Sequence, residues 1–192
     1  MLGVVLSGPL NPAIAHSFNL LFISPINDLA GRSALNGFLL ATREQDAHEF
    51  EESDGHLGGL DSYVIRIDST AGDNRLVAII RESVPLFATG SGISDKDREK
   101  LEKNNVVLVD PAVSESWPAV QLNPELLKLM NGGSFANAFK HEFGYTPGPD
   151  ALHGYIAARI IAEVVRGASG SVPLSAQKLK PAVEQALRSP IW

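Results

Sequence analysis

Two hydrophobic spacings alternate along the chain: short unbroken apolar runs, and stretches with apolar residues three or four positions apart. Residues 19–24 (NLLFIS) form an unbroken run halted by Pro25, as expected of a strand buried on both faces. After a turn through Asn27, Asp28 and Gly31, Ser33 is placed to cap a helix to about His48, with Leu35, Phe38 and Leu39 on one face and Arg43 and Glu44 on the other. Residues 63–67 (YVIRI), introduced by Gly58-Gly59, predict a second strand with Arg66 at an end or face near solvent. Residues 73–82 (DNRLVAIIRE) predict a helix with Asp73 near its N-terminus, where negative charge is favourable, and residues 84–88 (VPLFA) a third strand. Residues 94–104 open with the capping residue Ser94 and have almost no apolar stripe, so they predict an exposed helix. Residues 106–109 (VVLV) predict a fourth strand, ended by Asp110-Pro111.

Strand and helix taking turns over residues 18–110 predict an α/β fold, a doubly wound, mainly parallel sheet flanked by helices. The remainder changes character. Residues 125–130 and 134–143 predict helices, Pro147-Gly148-Pro149 breaks the chain, and Asp150 caps a helix through Arg166. On that helix Leu152, Ile156, Ile160 and Val164 form one row and Ala157, Ile161 and Val165 the next, so its apolar face is wide and deep packing is expected. Residues 167–171 end it, and residues 181–188 predict a last helix.

At 192 residues the chain has the length of one globular domain. Sixteen Lys and Arg against 22 Asp and Glu give a net charge of −6, which argues against a nucleic-acid partner, since that affinity comes from clustered cations. The absence of Cys excludes disulfides, Cys-ligated metal and a thiol nucleophile. Residues 1–15 end in Ala13-Ile14-Ala15, a small-x-small pattern of the kind signal peptidase reads. No Lys or Arg precedes the apolar run, and Pro9 and Pro12 interrupt it, so the segment reads as an export-signal remnant or as an N-terminal strand and turn. No apolar run reaches the ~18–20 residues of a membrane-spanning helix.

Motifs for dedicated chemistry are largely absent. Gly90-Ser91-Gly92 lacks the spacing and the Lys of a phosphate-binding loop, and Gly167-Ala168-Ser169-Gly170 follows a helix, unlike a nucleophile elbow. His48 and His56 flank four carboxylates but match no helix-face metal pair, so a solvated acidic run accounts for them. His141 and His153 read as helix residues with local hydrogen bonds, and Tyr155 as core or a ligand contact. Small polar residues gather after the strand ends instead: Ser24-Pro25, residues 89–94 (TGSGIS) and residues 110–114 (DPAVS). In an open parallel sheet this edge forms the ligand crevice, although helix capping alone also accounts for such residues.

At these residues the chain resembles the type I periplasmic binding proteins, which include the branched-chain amino acid receptors of ABC transporters. The resemblance lies in residues 23–31 (ISPINDLAG) with residues 36–41 (NGFLLA), in Gly55-His56-Leu57-Gly58-Gly59 ahead of Tyr63-Val64-Ile65, and in residues 135–147 (FANAFKHEFGYTP) with residues 151–158 (ALHGYIAA). It implies a periplasmic location, with a cytoplasmic one as the alternative, no cofactor, no metal and no catalysis. It also implies a small carboxylate or amino acid as ligand and an ABC permease as partner. Ligand contacts are expected at Ser24, Ser91, Gly92, Ser94, Ser114 and Tyr155; of these, Ser91, Ser94 and Ser114 occupy the loops that match the family's first-lobe contacts and would hold the ligand carboxylate. Family members have two lobes and are much longer, whereas here residues 109–116 pass almost directly to the C-terminal helices. Residues 1–17 are thus an N-terminal segment, a signal remnant or a first strand and turn, and the shorter length implies residues 18–192 as a single lobe, with 124–192 packed back on it. A homodimer or protein partner would complete the cleft. Two alternatives stand beside solute binding: an interaction or regulatory module that keeps the fold without the solute, and an enzyme of flavodoxin-like architecture using Asp28, Asp110 or the His48 and His56 cluster.

Overall fold

The computed structural model describes residues 17–25, 27–45, 52–70, 73–111, 133–168 and 174–188. Residues 1–16, which hold the export-like segment, and 125–130 lie outside them. Five strands form one sheet: β1 (Ser17–Ser24), β2 (His56–Leu57), β3 (Leu60–Asp68), β4 (Phe87–Gly90) and β5 (Val107–Leu108). Their order is β2-β3-β1-β4-β5, with β3, β1, β4 and β5 mutually parallel and β2 antiparallel at one edge. Six helices pack against the sheet among the described residues: α1 (Leu29–Arg43), α2 (Asp73–Ser83), α3 (Asp95–Lys103), α4 (Ser134–Phe143), α5 (Pro149–Ala168) and α6 (Ala176–Arg188). This is the α/β, mainly parallel architecture that the alternating pattern predicts.

Side-chain alternation along β1 divides the core. Phe18, Leu20 and Phe22 point to one side and join α1, α4, α5 and α6, while Leu21 and Ile23 point to the other and join α2 and α3. Both faces of the central strand are thus covered, which is why its sequence is an unbroken apolar run. On α3 only Leu101 is buried, in agreement with its charged sequence.

Several boundaries differ from expectation for local reasons. The first helix starts a turn earlier than Ser33, because the Asp28 carboxylate accepts from the Ala30 amide and caps it; Ser33 is buried within the helix, which ends at Arg43. Gly58 and Gly59 do more than introduce a strand. With φ of 66° and 89° they make the two-residue turn of a hairpin between β2 and β3, a backbone that favours glycine. Val84 has φ 45° and belongs to the turn after α2, so the strand expected from it begins at Phe87. Pro181 does not open the last helix. It sits inside α6, whose first turn is anchored by the Ser175 carbonyl accepting from the Lys178 and Leu179 amides.

Helices α1 and α5 pack backbone against backbone. Gly37 and Gly154 face each other's helix so closely that a Cβ at Gly37 would lie 1.8 Å from the Ala151 carbonyl oxygen, and one at Gly154 1.9 Å from that of Ala34. Glycine is required there for proximity of the two backbones. Polar links flank the crossing: the Asn36 amide donates to the Tyr145 hydroxyl at 3.1 Å, the Tyr155 hydroxyl donates to Glu44 at 2.6 Å, and Arg43 pairs with Glu142. Replacing Gly37 or Gly154 by Ala forces the helices apart and is expected to cost more than about 2 kcal/mol in urea denaturation. Gly148→Ala, where an added Cβ meets nothing within 4 Å, should leave the midpoint within about 0.5 kcal/mol.

Candidate functional site

The strand order fixes where a crevice opens. The chain leaves β1 through α1 to β3 on one side, then returns through α2 to β4 on the other, so the order reverses between β1 and β4, at whose carboxyl ends ligands of such sheets bind. Ser24, ending β1, is buried, and its carbonyl accepts from the Ser69 amide at 3.1 Å. The Ser91 amide, just past β4, donates to the Ile23 carbonyl at 3.1 Å. Ser24 and Ser91 are therefore side by side at the reversal point. Gly90 makes this approach possible, since a Cβ on it would lie 1.8 Å from the Ile23 carbonyl oxygen. The Ser91 hydroxyl oxygen is buried with no hydrogen-bond partner among the described residues.

The other expected contacts distribute differently. Gly92 (φ 72°) turns the chain toward α3, with open space where a side chain would stand. Ser94 is the N-cap of α3. Its hydroxyl accepts from the Asp97 amide at 3.2 Å and donates to the Asp97 carboxylate at 2.7 Å, so both its functions are engaged in capping. Burial works to raise the Asp97 pKa, but the Ser94 hydroxyl and the Lys100 ammonium outweigh it and hold the carboxyl below its ordinary value. Ser114 lies outside the described residues. Tyr155 is apart from the strand-end loops: its hydroxyl reaches Glu44 beyond the C-terminal end of α1, whereas Ser24 precedes the N-terminal end of that helix. Its ring packs on Phe135 at 4.7 Å, and burial together with Glu44 pushes its pKa well up, so the phenol is neutral at physiological pH.

A cavity of about 460 Å³ opens on the flank of β1 away from β4, lined by Ser24, Leu29, Gly31, Arg32, Leu35, Asn36, Arg66, Ile67 and Tyr145. Its volume suits a small organic molecule. Helix α1 supplies one wall, the ends of β1 and β3 the floor, and Tyr145, between α4 and α5, the far side. Leu29 is 65% exposed at its mouth, while Ile67 borders it at the end of β3 with its side chain buried in the core on the α2 and α3 face. Of these residues only Ser24 is among the ligand contacts expected from the sequence. Arg66 carried a local signal, a charge inside a strand-forming run; Asn36 and Tyr145 meet across 109 positions, a distance no local pattern encodes.

The residues considered for acid–base or metal chemistry are engaged elsewhere. Asp28 caps α1, Asp110 pairs with Arg98, and His56 lies 2.8 Å from Asp61. His48 is outside the described residues, among which no group of three metal-ligating side chains occurs. His153 is mostly buried on α5, its Nε2 without a partner; burial lowers its pKa against the opposing pull of Asp150 and Asp110. No helix among the described residues is long and apolar enough to cross a membrane. Comparisons with protein-family models, curated proteins and solved structures find no match.

Two measurements check these assignments. Ser94→Ala removes the α3 cap and should cost about 1 kcal/mol in urea denaturation, with no change in the affinity of any solute. The depressed His153 pKa means that the unfolded chain binds more protons, so its contribution is present above the ordinary histidine value of 6.5 and is lost as pH falls through the lowered one. Thermal midpoints should decline from pH 7.5 to 5.5, and His153→Gln should flatten that slope.

Proposed function

We propose that the chain is a non-catalytic solute-binding protein whose ligand is a small carboxylate or amino acid-like molecule, and that it resembles one lobe of a type I periplasmic binding protein. The observation carrying this reading is the 460 Å³ cavity at the carboxyl ends of β1 and β3, with apolar walls and a few convergent polar groups, as ligand sites generally have. Ser24 lines this cavity at the end of β1; Ser91, whose buried oxygen has no partner among the described residues, is its neighbour across the reversal point but lies outside the cavity lining. The candidate acids and the candidate histidine at His56 are committed to caps and ion pairs, so a hydrolytic or metal-dependent reaction has less support. A homodimer or another protein would close the open side of the crevice, and transfer to an ABC permease in the periplasm is the role in keeping with the resemblance.

A second reading, a protein-interaction module, is favoured by a different feature. β5 is the last strand of the sheet among the described residues, and a groove of about 410 Å³ runs between it and α6, with Val107, Leu108, Val183 and Leu187 flanked by Arg98 and Lys180. It predicts an association with protein that proceeds without solute.

A thermal-shift titration against amino acids, short carboxylic acids and aromatic acids separates the two readings. Solute binding predicts a saturable rise with at least one compound, worth about 2.7 kcal/mol at 100 times its dissociation constant. Leu35→Trp, which fills the cavity from its α1 wall, should abolish that rise. No shift from any compound in the panel would defeat the solute-binding reading.

A further inference from the structure

Resting on the solute-binding reading, we infer that the cavity beneath the first turns of α1 selects an apolar monocarboxylate over the α-amino acid with the same carbon skeleton. Among the described residues the charges that line it are of one sign: Arg32, on the first turn of α1, and Arg66, near the end of β3, both contribute, and no described Asp or Glu does. Arg32 is exposed and has no carboxylate partner among the described residues. Arg66 is partly balanced, its guanidinium 3.7 Å from Asp54. Of the two guanidiniums in the lining, that of Arg32 has no ion-pair partner among the described residues, and a planar guanidinium suits a carboxylate.

The neutral polar groups favour the same chemistry. Tyr145 accepts from Asn36, and its own O–H proton has no acceptor among the described residues, which leaves it available to donate to an anion. The carboxylates nearest in sequence are outside the lining and are held in other contacts: Asp28 caps α1, Asp54 bonds the Val64 amide and faces Arg66, and Asp68 accepts from Thr70. An ammonium entering beside the two guanidiniums would lose its hydration and meet like charge, with no carboxylate in the described lining to receive it. Leu29 and Leu35 provide the apolar surface for an aliphatic or aromatic body.

Isothermal titration of the full chain with matched pairs tests the inference: 4-methylpentanoate against leucine, and 3-phenylpropanoate against phenylalanine. The acids are expected to bind at least tenfold more tightly than the amino acids, and the uncharged 4-methylpentanamide to show no saturable heat. Arg32→Gln should weaken acid binding at least tenfold and Arg66→Gln less, since Asp54 already shares that charge; equal melting midpoints verify that both variants fold. Leucine or phenylalanine binding as tightly as its acid overturns the selectivity, and acid binding undiminished in the Arg32→Gln/Arg66→Gln double variant overturns the site. Another solute binding in a Leu35→Trp-sensitive way while both acids fail also overturns the inference but leaves the solute-binding reading standing. Only silence across the whole panel removes that reading as well.

Discussion

The contact on which the candidate site most depends is the backbone crossing of α1 and α5 at Gly37 and Gly154. Side-chain packing alone would hold two helices 8–10 Å apart; a glycine on each at the crossing brings the backbones closer. That closeness fixes the height of α1 above the sheet and carries Tyr145, just ahead of α5, within hydrogen-bond reach of Asn36 on α1. The cavity is framed by the same elements. With α1 farther from α5, Arg32 and Asn36 would no longer face the ends of β1 and β3 together with Tyr145.

Electrostatics then separates two kinds of polar residue at this edge of the sheet. The hydroxyl of Ser94 and the carboxylates of Asp28, Asp97 and Asp110 are consumed in caps and ion pairs that hold helices in place. Arg32, the Tyr145 proton and the Ser91 hydroxyl are not consumed in this way among the described residues. In a molecule of net charge −6, two arginines line one concave, partly apolar place, an arrangement in keeping with the proposed recognition of a small anion.

The elements were largely legible in the sequence, because burial on both sheet faces leaves an unbroken apolar run and burial on one helix face leaves a periodic one. α4 spans residues 134–143 as its pattern predicts, and α3 is bounded by Ser94 and Asn104 as its capping residue suggests. What was hidden depended on competition between local signals. Asp28 outcompeted Ser33 as a cap, and Val84 was absorbed into a turn despite its strand preference. The site was less legible than the fold. Strand-end loops pointed to Ser24 and Ser91, which the sheet brings together, but also to Ser94, whose hydroxyl is spent on its own helix. Tyr155 could not be placed from helical spacing, since only the crossing angle of α5 over α1 decides which end of α1 it reaches. Arg32, Asn36 and Tyr145 converge through the fold alone.

The proposed solute seat lies on the β3 flank of β1, against α1, and not at the β4 loop. A two-dimensional amide NMR titration of the full chain with 4-methylpentanoate locates it. Saturable shifts are expected to concentrate at Gly31, Arg32, Asn36, Arg66, Ile67 and Tyr145, with residues 89–94 responding weakly. Shifts concentrated at residues 89–94, with Arg32, Asn36 and Tyr145 unmoved, would place the solute at the β4 loop instead and overturn the proposal.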